Sequence, residues 1–134
     1  MANPADVARL ILGHCESLLL SPDLPIAWPD VAFTPPADGK YLRVDFLPNR
    51  PAWEGINAGR LDQGLLQITI IWPRHTGIIT SREIAAVIME HFRKGSKLTG
   101  LGVVVRFNRE PWAAAPILED SRTLTPITIP WVAS

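Results

Sequence analysis

The sequence predicts an α+β domain: a mostly antiparallel sheet of four to five strands, covered by two helices, with a long hairpin projecting from it. Two stretches carry apolar residues at helical spacing behind recognisable start signals. Several others alternate apolar and polar residues as strands do. The elements follow the order α-β-β-β-α-β-β, which suits two helices packed on one sheet. At 134 residues the chain reads as a single domain over 1–134, long enough to bury roughly two thirds of its unfolded surface. Hydrophobic residues make up 47% and charged residues 19%, the balance of a globular chain.

Asn3-Pro4-Ala5-Asp6 opens the first helix. Asn3 can cap, proline fits the first helical position, and Asp6 faces the positive end of the helix dipole. Val7, Leu10, Ile11 and Leu18, with Ala8, Leu12, Cys15 and Leu19 beside them, form a wide apolar face. Ser21-Pro22 should stop the helix, giving a span of roughly 4 to 20. Residues 26 to 33 suggest a short broken strand around Trp28-Pro29. In "YLRVDFLP" Leu42, Val44 and Phe46 point inward, and Tyr41, Arg43 and Asp45 outward. The stretch 48–63, "PNRPAWEGINAGRLDQ", is too long for an ordinary connection and reads as the tip of the projecting hairpin. Thr80-Ser81-Arg82-Glu83 matches a capping box for the second helix, with Ile84, Val87, Ile88 and Phe92 as its apolar stripe. Lys94 and Gly95 should close it. Val103, Val105 and Phe107 then alternate inward. Pro126 and Pro130, four apart in the last strand, remove N–H groups from one side of it. That places the strand at a sheet edge.

The stretch "GLLQITIIWPRHTG" (64–77) poses the main question. Leu66, Ile68, Ile70 and Trp72 face one side, yet Leu65 and Ile71 share the other with Gln67 and Thr69. Something has to cover that second side.

Composition narrows the function classes. Thirteen Lys plus Arg balance thirteen Asp plus Glu, whereas a nucleic-acid binder usually needs a basic excess. One cysteine, Cys15, excludes an intrachain disulfide and any cysteine cage. The start of the chain does not read as a signal peptide, and the apolar runs are too short to span a membrane, so a soluble protein made in a reducing compartment is expected. Chemistry is sparse. His14 and Cys15 are helix neighbours that point about 100° apart, a poor nucleophile–base pair. His14, His75 and His91 show no metal-ligand spacing. "GLGVVV" (100–105) precedes a strand without a following helix, so it is a turn and not a phosphate cradle. Glu119 and Asp120 read as solvated loop acids. No catalytic, cofactor-binding or metal-ligating residue is expected, and no enzyme activity.

Tryptophan and arginine in loops are the unusual material. Trp53 lies in the long connection with Arg50 and Arg60; Arg74 and His75 follow Trp72 and Pro73; Trp112 follows Arg109. Trp and Arg are the types most enriched at interface hot spots. Arg50, Trp53, Arg60, Arg74, His75, Arg109 and Trp112 are therefore the candidate interface residues. Trp28 and Trp131 are expected to plug the ends of the core. Arginine with tryptophan could also stack on nucleic-acid bases, a reading the flat charge disfavours.

"GRLDQGLLQITIIWPRHTG" followed by "EIAAVIMEHFRKGSKL" resembles the small tail terminator proteins of long-tailed bacteriophages, the lambda-type minor tail protein and its prophage-encoded relatives among them. The opening helix and the proline-containing last strand extend the likeness over nearly the whole chain. Family members often have a second glycine where this chain has Arg74-His75. The resemblance implies a structural virion protein without enzymatic activity or cofactor, assembled in the host cytoplasm. Its subunits would form a hexameric ring on the tail tube, ending polymerisation and offering the head-joining surface. The implied partners are itself, the tail tube protein and a head-completion or neck protein, with no membrane and no specific nucleic acid. A neck or tail-completion protein, a nucleic-acid-binding module and a small hydrolase are the competing readings. On the ring reading, a neighbouring subunit covers the second sheet face and the 48–63 hairpin.

Overall fold

The computed structural model describes residues 3–20, 23–50, 52–53 and 60–134, with the backbone alone at 52, 53 and 60. Helix α1 spans Pro4–Glu16. As expected, the Asn3 side chain accepts a bond from the Ala5 N–H at 2.9 Å. The helix ends earlier than the apolar pattern suggests, and Ser21 and Pro22, its expected stop, lie outside the described residues. Ser17 ends it instead. Its hydroxyl donates to the His14 carbonyl at 2.7 Å, a local bond of the kind that competes with helix continuation.

The strands are β1 (Ile26–Ala27), β2 (Tyr41–Pro48), β3 (Ala52–Trp53), β4 (Arg60–Pro73), β5 (Lys97–Gly100), β6 (Val103–Arg106), β7 (Trp112–Ala113), β8 (Ile117–Leu118) and β9 (Arg122–Ala133), with α2 (Ile79–His91) between β4 and β5. The sheet order is β1-β2-β4-β9-β6-β5. It is larger than the expected four to five strands, because short segments that lack a periodic pattern pair with the long strands. It is also mixed: β1 runs parallel to β2, and the other pairs are antiparallel.

The last strand is central and not at an edge. β9 pairs with β4 without interruption from Asp62↔Ala133 to Pro73↔Arg122. The Pro126 carbonyl accepts the Ala114 N–H at 2.9 Å, so the flank of β9 facing β7 is the one from which Pro126 withholds a donor. Pro130, four residues on, points the same way. That flank is met only by the short strands β6, β7 and β8. The prolines thus do not end the sheet; they break one of its ladders into pieces.

One face of the sheet is the core. Leu42, Val44, Leu66, Ile68, Ile70, Trp72, Val103, Val105, Ile127, Ile129 and Trp131 are buried there, each large side chain worth roughly 1.5–3 kcal/mol. Val7, Ile11 and Cys15 of α1 lie on it at helical spacing, as do Ile84, Ala85 and Ile88 of α2, followed by Phe92. α1 packs over β5 and β6, and α2 over β4 and β9.

Two details of α2 depart from expectation. Its N-cap is Ile78, with no side-chain capping bond. Gly77, at φ 82°, turns the chain early and leaves Thr80 inside the first turn. Val87 is not in the apolar stripe but 46% exposed. Gly95 does take a left-handed φ of 91°, though three residues beyond the helix C-cap, where its N–H meets the Phe107 carbonyl at 2.8 Å.

Gly64 stands directly across from Trp131 in the β4–β9 ladder. A Cβ there would lie 2.5 Å from Trp131 Cζ2 and 2.7 Å from the Leu47 carbonyl oxygen. Gly64→Ala should therefore destabilise the fold by about 1–3 kcal/mol, the usual cost of overpacking. Gly13, whose added Cβ would meet nothing within 4 Å, should gain about 0.5–1 kcal/mol as alanine. Urea unfolding of the two variants checks this; equal shifts would contradict the packing at Gly64.

Candidate interaction surface

The second face of the sheet is the candidate site, and strand register sets its rows. Leu47, Leu65 and Pro130 align across β2, β4 and β9. Asp45, Gln67 and Thr128 form the next row, which β7 extends to Trp112. Arg43, Thr69 and Pro126 form the third. Tyr41, Ile71 and Leu124 form the fourth, which β8 extends to Ile117.

The chain itself covers the fourth row and much of the third, where Thr69 and Pro126 are buried. Phe33 and Ala27 pack over Tyr41, Ile71 and Leu124, with the Phe33 and Tyr41 rings 5.0 Å apart. Arg122, in a pair with Glu119 at 2.6 Å, also donates to the Tyr41 hydroxyl at 3.3 Å. Its hydrogen bond to Glu119 holds the guanidinium charged above its ordinary range. Further along, Arg43 and Asp45 pair at 3.3 Å while remaining part exposed, which makes the pair worth little to stability. Trp112 and Ile117 are each 51% exposed, and Leu47 is exposed too. Beneath them the Thr69 hydroxyl is buried without a hydrogen-bond partner among the described residues, an uncommon state for a buried polar group.

The sequence-derived candidates do not converge on one site. Arg50 is exposed where the β2–β4 ladder gives way to β3, and its carbonyl accepts from Gln63 Nε2 at 3.4 Å. Arg109 lies beside the same place, lining a cavity of about 100 Å³ with Asn49, Gln63 and Trp131. The Trp53 and Arg60 backbones pair there, but their side chains lie outside the described residues, as do 54–59. Arg74 and His75 follow the opposite end of β4, roughly 45 Å away at a strand rise of ~3.3 Å per residue. Arg74 Nε is buried without a partner among the described residues. His75 is exposed at φ 65°, the left-handed backbone that favours glycine, with the turn closed by Thr76 Oγ1 donating to the Pro73 carbonyl at 2.9 Å.

Three tryptophans sort by burial. Trp131 is 3% exposed and stacks on Phe46 at 5.4 Å, and Trp28 packs against the core edge, both as expected. Trp72 is a core residue, as its place in the Leu66–Trp72 alternation indicates, with Lys40 Nζ 5.0 Å above its ring.

Cys15 is fully packed, and burial pushes its thiol pKa up to about 12, so it is not a nucleophile. The His14 ring turns away from it to bond the His91 carbonyl at 2.8 Å. Among the described residues no group of three or more His, Cys, Asp or Glu could hold a metal ion, and no helix is long and apolar enough to cross a membrane.

Comparison with known families matches residues 6–131 to the phage tail terminator protein family. The chain belongs to that family. A search of curated proteins gave no match. One solved structure superposes with a TM-score of 0.77 at 25% identity, covering 95% of this chain and 95% of its own, and its name states no function.

Membership makes this tail terminator family member a structural protein of the phage tail, and so a component of the virion. Leu47, which extends the open face, had a signal in the sequence: it follows the inward run of β2 at an outward position. The two-residue strands that carry Trp112 and Ile117 onto the sheet had none. Trp112→Ala should change folding stability by no more than about 0.5 kcal/mol, since it sits on an open surface. Trp131→Ala should cost about 3–5 kcal/mol. Chemical denaturation distinguishes them, and a Trp112 variant as unstable as the Trp131 variant would mean that this face is closed within the monomer.

Proposed function

We propose that this chain forms a ring on the end of the tail tube, where it stops tube polymerisation and provides the surface that the head joins. The observation that carries the reading is the family match over residues 6–131. The open sheet face supports it: a surface bearing exposed Trp112, Ile117 and Leu47 over an unpartnered Thr69 hydroxyl suits a protein partner.

A ring of identical subunits uses heterologous contacts, so each copy carries two different complementary patches. In this reading the arm over 48–63, with Arg50, Trp53 and Arg60, is one patch and projects from the sheet. The open face with the 109–122 segment is the other, and the arm of one copy lies across the face of the next. The ladder supports an arm: β3 continues the β2–β4 pairing after a one-residue change of register, from Asn49 bonded opposite Gln63 to Ala52 opposite Leu61, the step that a β-bulge makes. Arg74 and His75, at the far end of β4, would meet the tube or the neck protein. The ring is six-fold, built in the host cytoplasm and free of cofactor, and the gene is phage- or prophage-borne.

Shortening the arm within 49–60 to a tight turn tests this. The chain should fold with an unchanged thermal midpoint, yet its capping of tail tubes should fall at least about tenfold, as expected when an interface hot-spot cluster is lost. Circular dichroism and electron microscopy of capped tubes give the two readouts. Normal capping by the shortened chain would sink the proposal.

A further inference from the structure

The last turns of α1 and α2 meet through their histidines. The His14 and His91 rings stack 3.9 Å apart and 8° from parallel. His14 Nε2 lies 2.8 Å from the His91 carbonyl oxygen, and His91 Nε2 lies 2.7 Å from the His14 carbonyl oxygen. Carbonyls only accept, so both Nε2 atoms carry hydrogen, and any added proton goes to Nδ1. Carbonyls in the last turn of a helix lack partners along their own helix. Here each histidine ring bonds the end of the other helix, and the His14 carbonyl also accepts the Ser17 N–H at 3.2 Å.

We propose that His14 and His91 form an acid-sensitive clasp that holds the C-terminal ends of α1 and α2 together, and that a second proton on the ring pair opens it.

The surroundings set how many protons the pair can hold. Ser17, at the end of α1, donates to the His14 carbonyl and lies 3.1 Å from His91 Nε2. Phe92 stands edge-on to both rings, at 4.9 and 5.2 Å. Phe107, after β6, lies 6.2 Å from His14. Glu90 and Arg93 line the cleft beside the rings with Ser96, and they pair with each other at 3.1 Å. Glu16 lines a different cleft, with Trp28, and the buried Cys15 thiol stays neutral.

One proton suits the site, because helix C-termini favour a cation. Two would set like charges face to face, with the ring centroids 3.9 Å apart. His14 is the reluctant member. Burial lowers its pKa from the ordinary 6.5, the bond to the His91 carbonyl partly offsets this, and the His91 charge lowers it again. Since the folded chain binds this proton less readily than the unfolded chain, the associated stability is complete above about pH 6.5 and is lost as pH falls below it.

Histidine NMR titration of the intact chain tests the clasp. His14 should titrate below the ordinary 6.5. Amide-exchange protection at Phe92 and Arg93, corrected for intrinsic pH dependence, should drop at least about tenfold between pH 7.5 and pH 5. His91→Gln, which keeps an N–H donor but removes one charge, should raise the His14 midpoint and abolish the acid-induced loss. Should that variant not fold, the titration of the unmodified chain decides alone. His14 titrating at its ordinary value, or a stack and its protection surviving intact at pH 5, would overturn the proposal.

Discussion

The unbroken pairing of β4 with β9 is the constraint on which the rest of the structure depends. It runs through twelve residue pairs and forms the spine of the sheet. Its alternation fixes both faces at once: Leu66, Ile68, Ile70 and Trp72 join Ile127, Ile129 and Trp131 beneath the helices, while Leu65, Gln67 and Thr69 line up with Pro130, Thr128 and Pro126 on the other side. A slip of one residue would exchange the two faces. The close approach of Trp131 to Gly64 guards against such a slip, because only glycine leaves room for the indole. The prolines of β9 then decide what can follow. By withholding donors on the far flank, they admit only short strands there, and two of these deliver Trp112 and Ile117 to the open face.

The parts of the fold governed by local periodicity were legible in the sequence. The Asn3 cap, the stripe of α1 as far as Cys15, the inward sides of β2, β4 and β6, and the core positions of Trp28 and Trp131 all follow from spacing and capping chemistry; Leu19, expected on that stripe, lies beyond the helix and is 85% exposed. The parts settled by tertiary pairing were not. β1, β7 and β8 are two-residue strands that exist because longer strands offer them partners, so no window of sequence carries their signal. Pro126 and Pro130 were read correctly as protecting one side of β9, but the inference of an edge did not follow, since a broken ladder satisfies the same chemistry. The capping-box pattern at Thr80 yielded to an earlier turn at Gly77.

The candidate site was legible in kind more than in place. Residue types typical of interfaces pointed to a binding surface and away from catalysis, and Trp112 does stand exposed on the open face. Register, which the sequence does not state, separates Arg74 and His75 from Arg50 and Arg109 by most of the length of β4. It also places Thr69, unremarkable in the sequence, on that face as a buried hydroxyl with no partner among the described residues. The pairing of His14 with His91 escaped for a similar reason. Each closes its own helix, but only the packing of α1 and α2 on one sheet makes them neighbours.

On the proposed reading, copies of the same chain at the end of a tube cover the face that this chain leaves partly open. Length measurement of tails assembled without this chain tests that claim most directly. The account predicts tubes that grow past their normal length and fail to join heads, with uniform length restored when the protein is supplied during assembly. Tubes of normal, uniform length in its absence would contradict it.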